Sequence, residues 1–213
     1  MDYKLAIFDF DGTLADSFPF FASVFNRLAE HHGFRKVEPH ETEALRRRNA
    51  RQVMEHLGMP AWKLPIVARA FVGLMRDSTA RVPLFEGVSE LLQHLAQRGV
   101  VLAIVSSNSA DNVKQVLGPE NVRLISHFEC GASIFGKRSL IRKVLNQSRI
   151  APDEAIYIGD QPTDLEAART ERVAFGAVAW GYGHIDSMSP QAPEMVFTRV
   201  SDIARIAFEP GHG

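Results

Sequence analysis

Four short apolar runs constrain this chain more than any other feature: Tyr3–Phe10, Val100–Val105, Ala155–Ile158 and Ala174–Trp180. They are too short for ordinary helices and carry little polar alternation, which predicts strands buried on both faces. Helical patterns stand between and after the later runs. Val88–Gln97 places apolar residues at 88, 91, 92 and 95 and is stopped by Gly99. Asn112–Leu117, Ser139–Leu145 and Asp164–Ala168 are shorter helical segments, the last with Pro162 near its start. Buried strands alternating with helices predict an α/β fold built on a parallel sheet covered on both sides.

The block 16–83 breaks this rhythm. It reads as helices at Phe18–Glu30, Glu41–Leu57 and Lys63–Thr79, punctuated by Pro39, Gly58 and Pro60 and closed by Pro83. The expected organisation is an α/β core of residues 1–15 and 84–213 carrying a helical module at 16–83. The tail Glu209–Gly213 is expected to fray.

Composition removes several function classes. Lys and Arg number 24 against 25 Asp and Glu, a net charge of −1 over 213 residues, which argues against a broad polyanion-binding surface. One cysteine, Cys130, excludes an intramolecular disulfide and any zinc site needing two thiolates. No run approaches the ~18 apolar residues of a membrane span. The opening MDYKLAIFDFDGTL is acidic and strand-like, unlike a secretory leader, so a cytoplasmic protein is expected.

Polar groups follow the strands, where open α/β sheets bind ligands. The first strand leads into Asp9 and Asp11, with Gly12 behind them. The second leads into Ser106, Ser107 and Asn108, and the run ending at Ile158 into Asp160 and Asp164. Lys137 opens a helix after Phe135–Gly136. Each cluster has an ordinary structural reading alone, as a turn, an N-cap or a solvated lysine. Their recurrence at matching strand ends, in one order, favours a shared site. Four converging carboxylates repel and require a cation. Oxygen donors without His or Cys suit Mg2+ better than Zn2+. Such a site, with a lysine and hydroxyl donors, suits phosphoryl transfer.

The stretch DFDGTLADS resembles the first motif, DxDx[TV], of the haloacid dehalogenase-like hydrolases. Ser106 after LAIV is similar to the second motif, Lys137 to the third, and GDQPTD to the GDxxxD form of the fourth. WGYG at Trp180–Gly183 and the FEGV segment resemble the subgroup near phosphoglycolate phosphatase. The resemblance implies a Rossmann-like core with a helical cap inserted after the first strand. It implies Asp9 as nucleophile, forming an aspartyl-phosphate, and Asp11 as the acid and base. Residues i and i+2 of a strand point the same way, so both carboxylates could reach one phosphate if the strand stays extended to Asp11. Mg2+ would be held by Asp9, the Asp11 carbonyl and Asp160. Asp164 would steady a metal water or Lys137, and Lys137 would bridge Asp9 and the phosphate. Ser106, the backbone N–H groups of Ser107 and Asn108, and Gly12 would receive the phosphate. An acid at position 11 favours phosphate esters over dehalogenation, and a phosphomutase would share the whole set.

In the helical block, Arg46, Arg47, Arg48 and Arg51 share one segment, and Arg48 is the candidate for binding a substrate carboxylate or second phosphate. The alternative is a solvated helix face. His31–His32 reads as a helix end, Trp62 and Trp180 as packing residues, and Phe18, Phe20, Phe21 and Phe25 as cap core. The expected partner is a small phosphate ester rather than nucleic acid or membrane, with monomer and homodimer both open. A phosphatase leads, with a phosphomutase or a non-catalytic binding protein of the same fold as alternatives.

Overall fold

A computed structural model of the chain describes residues 3–41, 44–45, 50–63, 65–67, 69–70, 82–131, 136–182 and 192–207. Six strands form one parallel sheet: β1 (Leu5–Phe8), β2 (Val101–Ser106), β3 (Ile125–Cys130), β4 (Ala155–Gly159), β5 (Ala174–Val178) and β6 (Met195–Phe197). Their spatial order is β3-β2-β1-β4-β5-β6. The chain therefore builds outward from β1 in one direction through β3, then returns and builds in the other.

Alternation along the strands sorts the core into two layers. Ala6, Phe8, Leu102, Ile104, Ile156 and Ile158 face helices α3 (Val88–Gln97) and α4 (Ala110–Val122). Leu5, Ile7, Ala103, Val105, Tyr157 and Phe175 face α5 (Lys137–Ser148) and α6 (Pro162–Thr170). The strands are hydrophobic throughout because both faces are covered. Asp9 continues the parity of Leu5 and Ile7, and its N–H extends the ladder to the Ile158 carbonyl at 2.9 Å.

The central strands and α3 lie where their sequence patterns put them. Two edge strands, β3 and β6, were not among the expected strands. Ile125–Cys130 buries only Ile125 and Glu129, and Met195–Phe197 spans only three residues. Each pairs on one side only, so neither needs the continuous apolar run that marks a central strand. The run 174–180 stops being strand at Val178. The α4 segment starts earlier than expected, with Ser109 accepting from the Asn112 N–H at 3.2 Å, and kinks at Gly118 (φ 73°) before Pro119.

Within 16–83, the described residues form helix α1 (Phe18–His32), the short helix α2 (Ala50–His56) and 3-10 turns at Pro39–Glu41 and Ala61–Lys63, with no paired strand among them. Phe18, Phe20 and Phe25 are buried, and His31 and His32 end α1 before Gly33 (φ 66°). Trp62 corrects its expectation as a packing residue: it is 68% exposed, with the Lys63 ammonium 5.4 Å from its ring. The two crossings into this block run side by side. Ala15 bridges Leu84, the Asp16 N–H donates to the Pro83 carbonyl at 2.9 Å, and the Phe85 N–H donates to the Leu14 carbonyl at 2.9 Å.

Gly176 in β5 faces the fully buried Phe197, and a Cβ there would lie 2.5 Å from the ring. Gly176→Ala is expected to lower the unfolding free energy by about 1–3 kcal/mol through overpacking, read by urea denaturation. An unchanged midpoint would show that β6 moves freely away from β5.

Candidate active site

The carboxyl ends of β1 and β4 are neighbours, since the sheet register pairs Phe8 with Ile158. Asp9 leaves one residue past that pair and Asp160 two. One carboxylate oxygen from each of Asp9, Asp160 and Asp164 lies within 4.8 Å of the others, and all three side chains are buried. Asp164 stands in the first turn of α6, where its Oδ2 accepts the Gln161 N–H at 3.1 Å.

Lys137, the first residue of α5, enters this cluster from the same face of the sheet. Its Nζ lies 2.8 Å from Asp9 Oδ1 and 2.7 Å from Asp164 Oδ1. The Tyr157 hydroxyl lies 3.4 Å from Asp164 Oδ1 and 3.3 Å from the Val105 carbonyl, with one proton to donate between them. Burial works against the Lys137 ammonium, but Asp164 and Asp9 outweigh it and raise its pKa well above the ordinary lysine range. Three carboxylates nevertheless share one ammonium. Burial, with Asp164 and Asp160 adding to it against Lys137, pushes Asp9 well above the usual carboxylate range. Asp160 is pushed up to about 6 by burial, with Asp164 adding.

The two oxygens of Asp160 differ. Oδ2 accepts from the Tyr182 N–H at 2.6 Å and from Gln161 Nε2 at 3.0 Å, while Oδ1 is buried without a hydrogen-bond partner. An unpartnered buried carboxylate oxygen beside two more acids is the environment a divalent cation satisfies. The donor set therefore fits a hard metal ion.

Asp11 is not one of the three clustered carboxylates. Regular pairing of β1 ends at Phe8, and the chain then turns tightly, with the Gly12 N–H donating to the Ala15 carbonyl at 2.9 Å. Asn108 Nδ2 donates to Asp11 Oδ2 at 3.0 Å, and partial burial raises the Asp11 pKa. Asn108 is oriented by its own acceptor: Oδ1 takes the Ser109 N–H at 2.8 Å and Asn112 Nδ2 at 3.1 Å, which leaves the amide NH2 for Asp11. Ser106 ends β2, buried, and its Oγ accepts the Asn108 N–H at 3.0 Å. That amide, expected to be open to phosphate, is here engaged within its own loop. Ser107 is exposed. Gly12 (φ +83°) abuts Asp160, and a Cβ there would sit 2.7 Å from Asp160 Oδ2. Arg46, Arg47 and Arg48 lie outside the described residues, and Arg51 belongs to α2.

Several residues at this rim were not singled out for it from sequence: Ser17, Asn112, Tyr157, Gln161, Gly181 and Tyr182. Gly181 and Tyr182 lay inside WGYG, Ser17 inside DFDGTLADS and Gln161 inside GDQPTD, while Asn112 and Tyr157 belonged to no motif. Trp180, expected to pack, lies edge-on to Phe85 at 6.3 Å and also donates from Nε1 to the Thr13 carbonyl at 3.1 Å.

The family model for haloacid dehalogenase-like hydrolases matches residues 6–178. This chain belongs to the haloacid dehalogenase-like hydrolases. Phosphoglycolate phosphatase of Synechococcus elongatus is 30% identical over 198 residues, covering 92% of this chain and 93% of the relative. The tyrosine-protein kinase PtkA of Mycobacterium tuberculosis is 28% identical over 203 residues, 91% of this chain and 68% of that protein. Among solved structures, a Lactobacillus plantarum protein superposes with a TM-score of 0.81 at 22% identity, covering 97% of this chain and all of that one. CbbY from Rhodobacter sphaeroides, in complex with phosphate, superposes at 0.69 and 18% identity, covering 94% and 96%. The structural matches establish the fold. Among the described residues, no helix is long and apolar enough to cross a membrane.

Asp164→Ala would leave the buried Lys137 ammonium with Asp9 alone. We expect a loss of about 3–5 kcal/mol in unfolding free energy, measured by denaturant titration, because one partner of a buried ion pair is removed. A loss below about 1 kcal/mol would mean that water readily replaces Asp164.

Proposed function

We propose that this hydrolase is a Mg2+-dependent phosphatase for a small phosphorylated metabolite, a phosphoglycolate-like acid ester or a sugar phosphate. The observation that carries this reading is the buried Asp9 at the end of β1, ion-paired to Lys137 and grouped with Asp160 and Asp164. The name of the Synechococcus relative supports the substrate class.

In this reading a carboxylate oxygen of Asp9 attacks phosphorus. The new O–P bond forms as the ester P–O bond breaks, and Asp11 gives its proton to the departing oxygen, releasing an alcohol. Water then attacks the phosphorus of the aspartyl-phosphate and passes a proton to Asp11. The bond to Asp9 breaks, inorganic phosphate leaves, and both carboxyl groups regain their starting forms. Lys137 keeps Asp9 in place and balances charge on the transferring group. Asp164 keeps Lys137 in place. Ser106, Ser107, Asn108 and Gly12 line the phosphate side, near the N-terminus of α4. Asp9, Asp160 and the Asp11 carbonyl would hold Mg2+, which when bound supplies charge neutralisation between nucleophile and phosphate. An all-oxygen donor set favours Mg2+ over a softer ion.

The block 16–83 is proposed to act as a cap over this rim, and Arg48 to bind the substrate's second anionic group. The paired crossings support a cap, since they enter and leave the block together beside Asp11.

Purified protein with Mg2+ should release inorganic phosphate from aryl and alkyl phosphate esters. Asp9→Asn should lower turnover by on the order of a thousandfold or more, and Asp11→Asn by about a hundredfold or more on alkyl esters. No release across an ester panel would reject the phosphatase reading, and transfer to a sugar phosphate or a protein tyrosine in place of water would replace it. Mg2+ should also raise Tm in the absence of substrate, and Asp160→Asn should abolish that rise. A full rise in the variant would remove Asp160 from the metal site.

A further inference from the structure

We infer that Asn112 is a positioning residue for Asn108: it fixes which end of the Asn108 amide faces the active-site rim. The inference rests on the phosphatase reading, in which Asn108 lines the phosphate side. The Asn108 backbone is already held by both of its polar groups. Its N–H donates to Ser106 Oγ at 3.0 Å, and its carbonyl accepts the Gly131 N–H at 2.7 Å. What remains to be set is the side-chain amide, whose two ends have opposite hydrogen-bonding character. The Ser109 N–H, which can only donate, lies 2.8 Å from Asn108 Oδ1. Asn112 Nδ2 donates to the same oxygen at 3.1 Å. The Asn108 nitrogen therefore turns the other way and donates to Asp11 Oδ2 at 3.0 Å. That NH2 group carries two N–H donors. Asp11 takes one, and the second is the one this reading offers to phosphate.

The helix itself gains little from this asparagine. Ser109 caps α4 by accepting the Asn112 N–H at 3.2 Å, which puts Asn112 at the third helical position. A polar side chain there commonly accepts the N–H of the capping residue. Here Asn108 Oδ1 takes the Ser109 N–H, and Asn112 presents its nitrogen instead. The Asn112 Oδ1 is left buried with no hydrogen-bond partner among the described residues. A buried oxygen in that state costs stability. An apolar side chain at 112 would avoid the cost and would match the buried Val113 and Leu117 of the same helix. What the asparagine supplies at this position is the bond to Asn108. It reaches the loop after β2 from a helix whose own packing is set by the core, so α4 orients the amide that the loop alone would hold by one bond.

Asn112→Leu removes both the donor and the orphaned oxygen, and Asn112→Ala keeps the test open if leucine overfills the site. In the full chain with Mg2+, we expect kcat/KM for p-nitrophenyl phosphate to fall about tenfold, because a group that orients the substrate is displaced. Inhibition by inorganic phosphate should weaken by a similar factor. Tm should stay within about 2 °C of the wild type or rise, since Asn108 Oδ1 keeps the Ser109 N–H and the unpartnered oxygen is gone. In an Asn108→Ala background, Asn112→Leu should change kcat/KM by less than about twofold, as for residues acting through one another. In the free protein, the Asn108 side-chain N–H signals should shift and exchange faster with water in Asn112→Leu, read by 15N-edited NMR. A merely structural asparagine would lower Tm in both variants and leave kcat/KM and phosphate inhibition of the folded protein unchanged. That result would overturn the inference, as would a full further loss in the Asn108→Ala background. The readings remain separable. If wild-type turnover depends on Mg2+ and Asp9 while Asn112→Leu matches it in rate and phosphate inhibition, only the positioning role fails. If the wild type turns over no ester, the phosphatase reading falls, and the Asn108 signals decide the positioning: altered in Asn112→Leu they support it, and unchanged they overturn it.

Discussion

The ammonium of Lys137, buried between Asp9 and Asp164, is the interaction on which this rim depends. Bringing several carboxylates out of water is costly unless counter-charge is supplied at hydrogen-bond distance. Lys137 supplies it at 2.8 and 2.7 Å, from the first residue of a helix whose remaining buried positions, Ile141, Val144 and Leu145, pack on the sheet. The apolar face of α5 therefore aims the charge. One ammonium does not balance three acids, however. The residual negative charge, together with the unpartnered Asp160 Oδ1, leaves the site electrostatically incomplete in a way that a small divalent cation would complete.

Sheet topology explains why these particular side chains meet. With the order β3-β2-β1-β4-β5-β6, β1 and β4 lie side by side although nearly the whole first half of the core and the helical block separate them in sequence. The chain turns from building one half of the sheet to building the other between these two strands, and the crevice at such a switch point is open to ligand. Asp9 and Asp160 flank that crevice. The end of β2 contributes Ser106 and the loop after it Asn108 from one side, and α5 contributes Lys137 from the face opposite α3 and α4.

How much of this was legible in the sequence depended on burial. The central strands and Val88–Gln97 were readable because two-sided burial forces continuous apolar runs and a packed helix face forces 3.6-residue spacing. The edge strands β3 and β6 obey neither constraint, since their outer sides face no neighbouring strand, and they left no pattern. Asp9 and Asp160 were readable because charge placed just after strand ends is anomalous in an otherwise apolar context, and Asp164 and Lys137 through the order of the polar clusters and the motifs they resemble. Asn112 and Tyr157 were not. Each sits at a position whose periodicity already marks it as core, and only the fold shows a polar group turned toward Asn108 or Asp164. The extended spacing read from Asp9 to Asp11 also reached its limit, because the turn at Gly12 carries Asp11 toward Asn108 instead of into the three-acid cluster.

The glycines around the acids complete the physical account. At Gly12, Gly159 and Gly181 a Cβ would occupy space held by an aspartate: 2.7 Å from Asp160 Oδ2, 2.7 Å from Asp164 Oδ2 and 2.1 Å from Asp160 Cβ. Backbone must come this close because a buried carboxylate has no water to accept from and takes its donors from nearby N–H groups. The Gln161 and Tyr182 amides serve that purpose at 3.1 and 2.6 Å. Acids and glycines at this rim are thus one feature rather than two. The carboxylates need close backbone, and only residues without a side chain let the three loops converge on them.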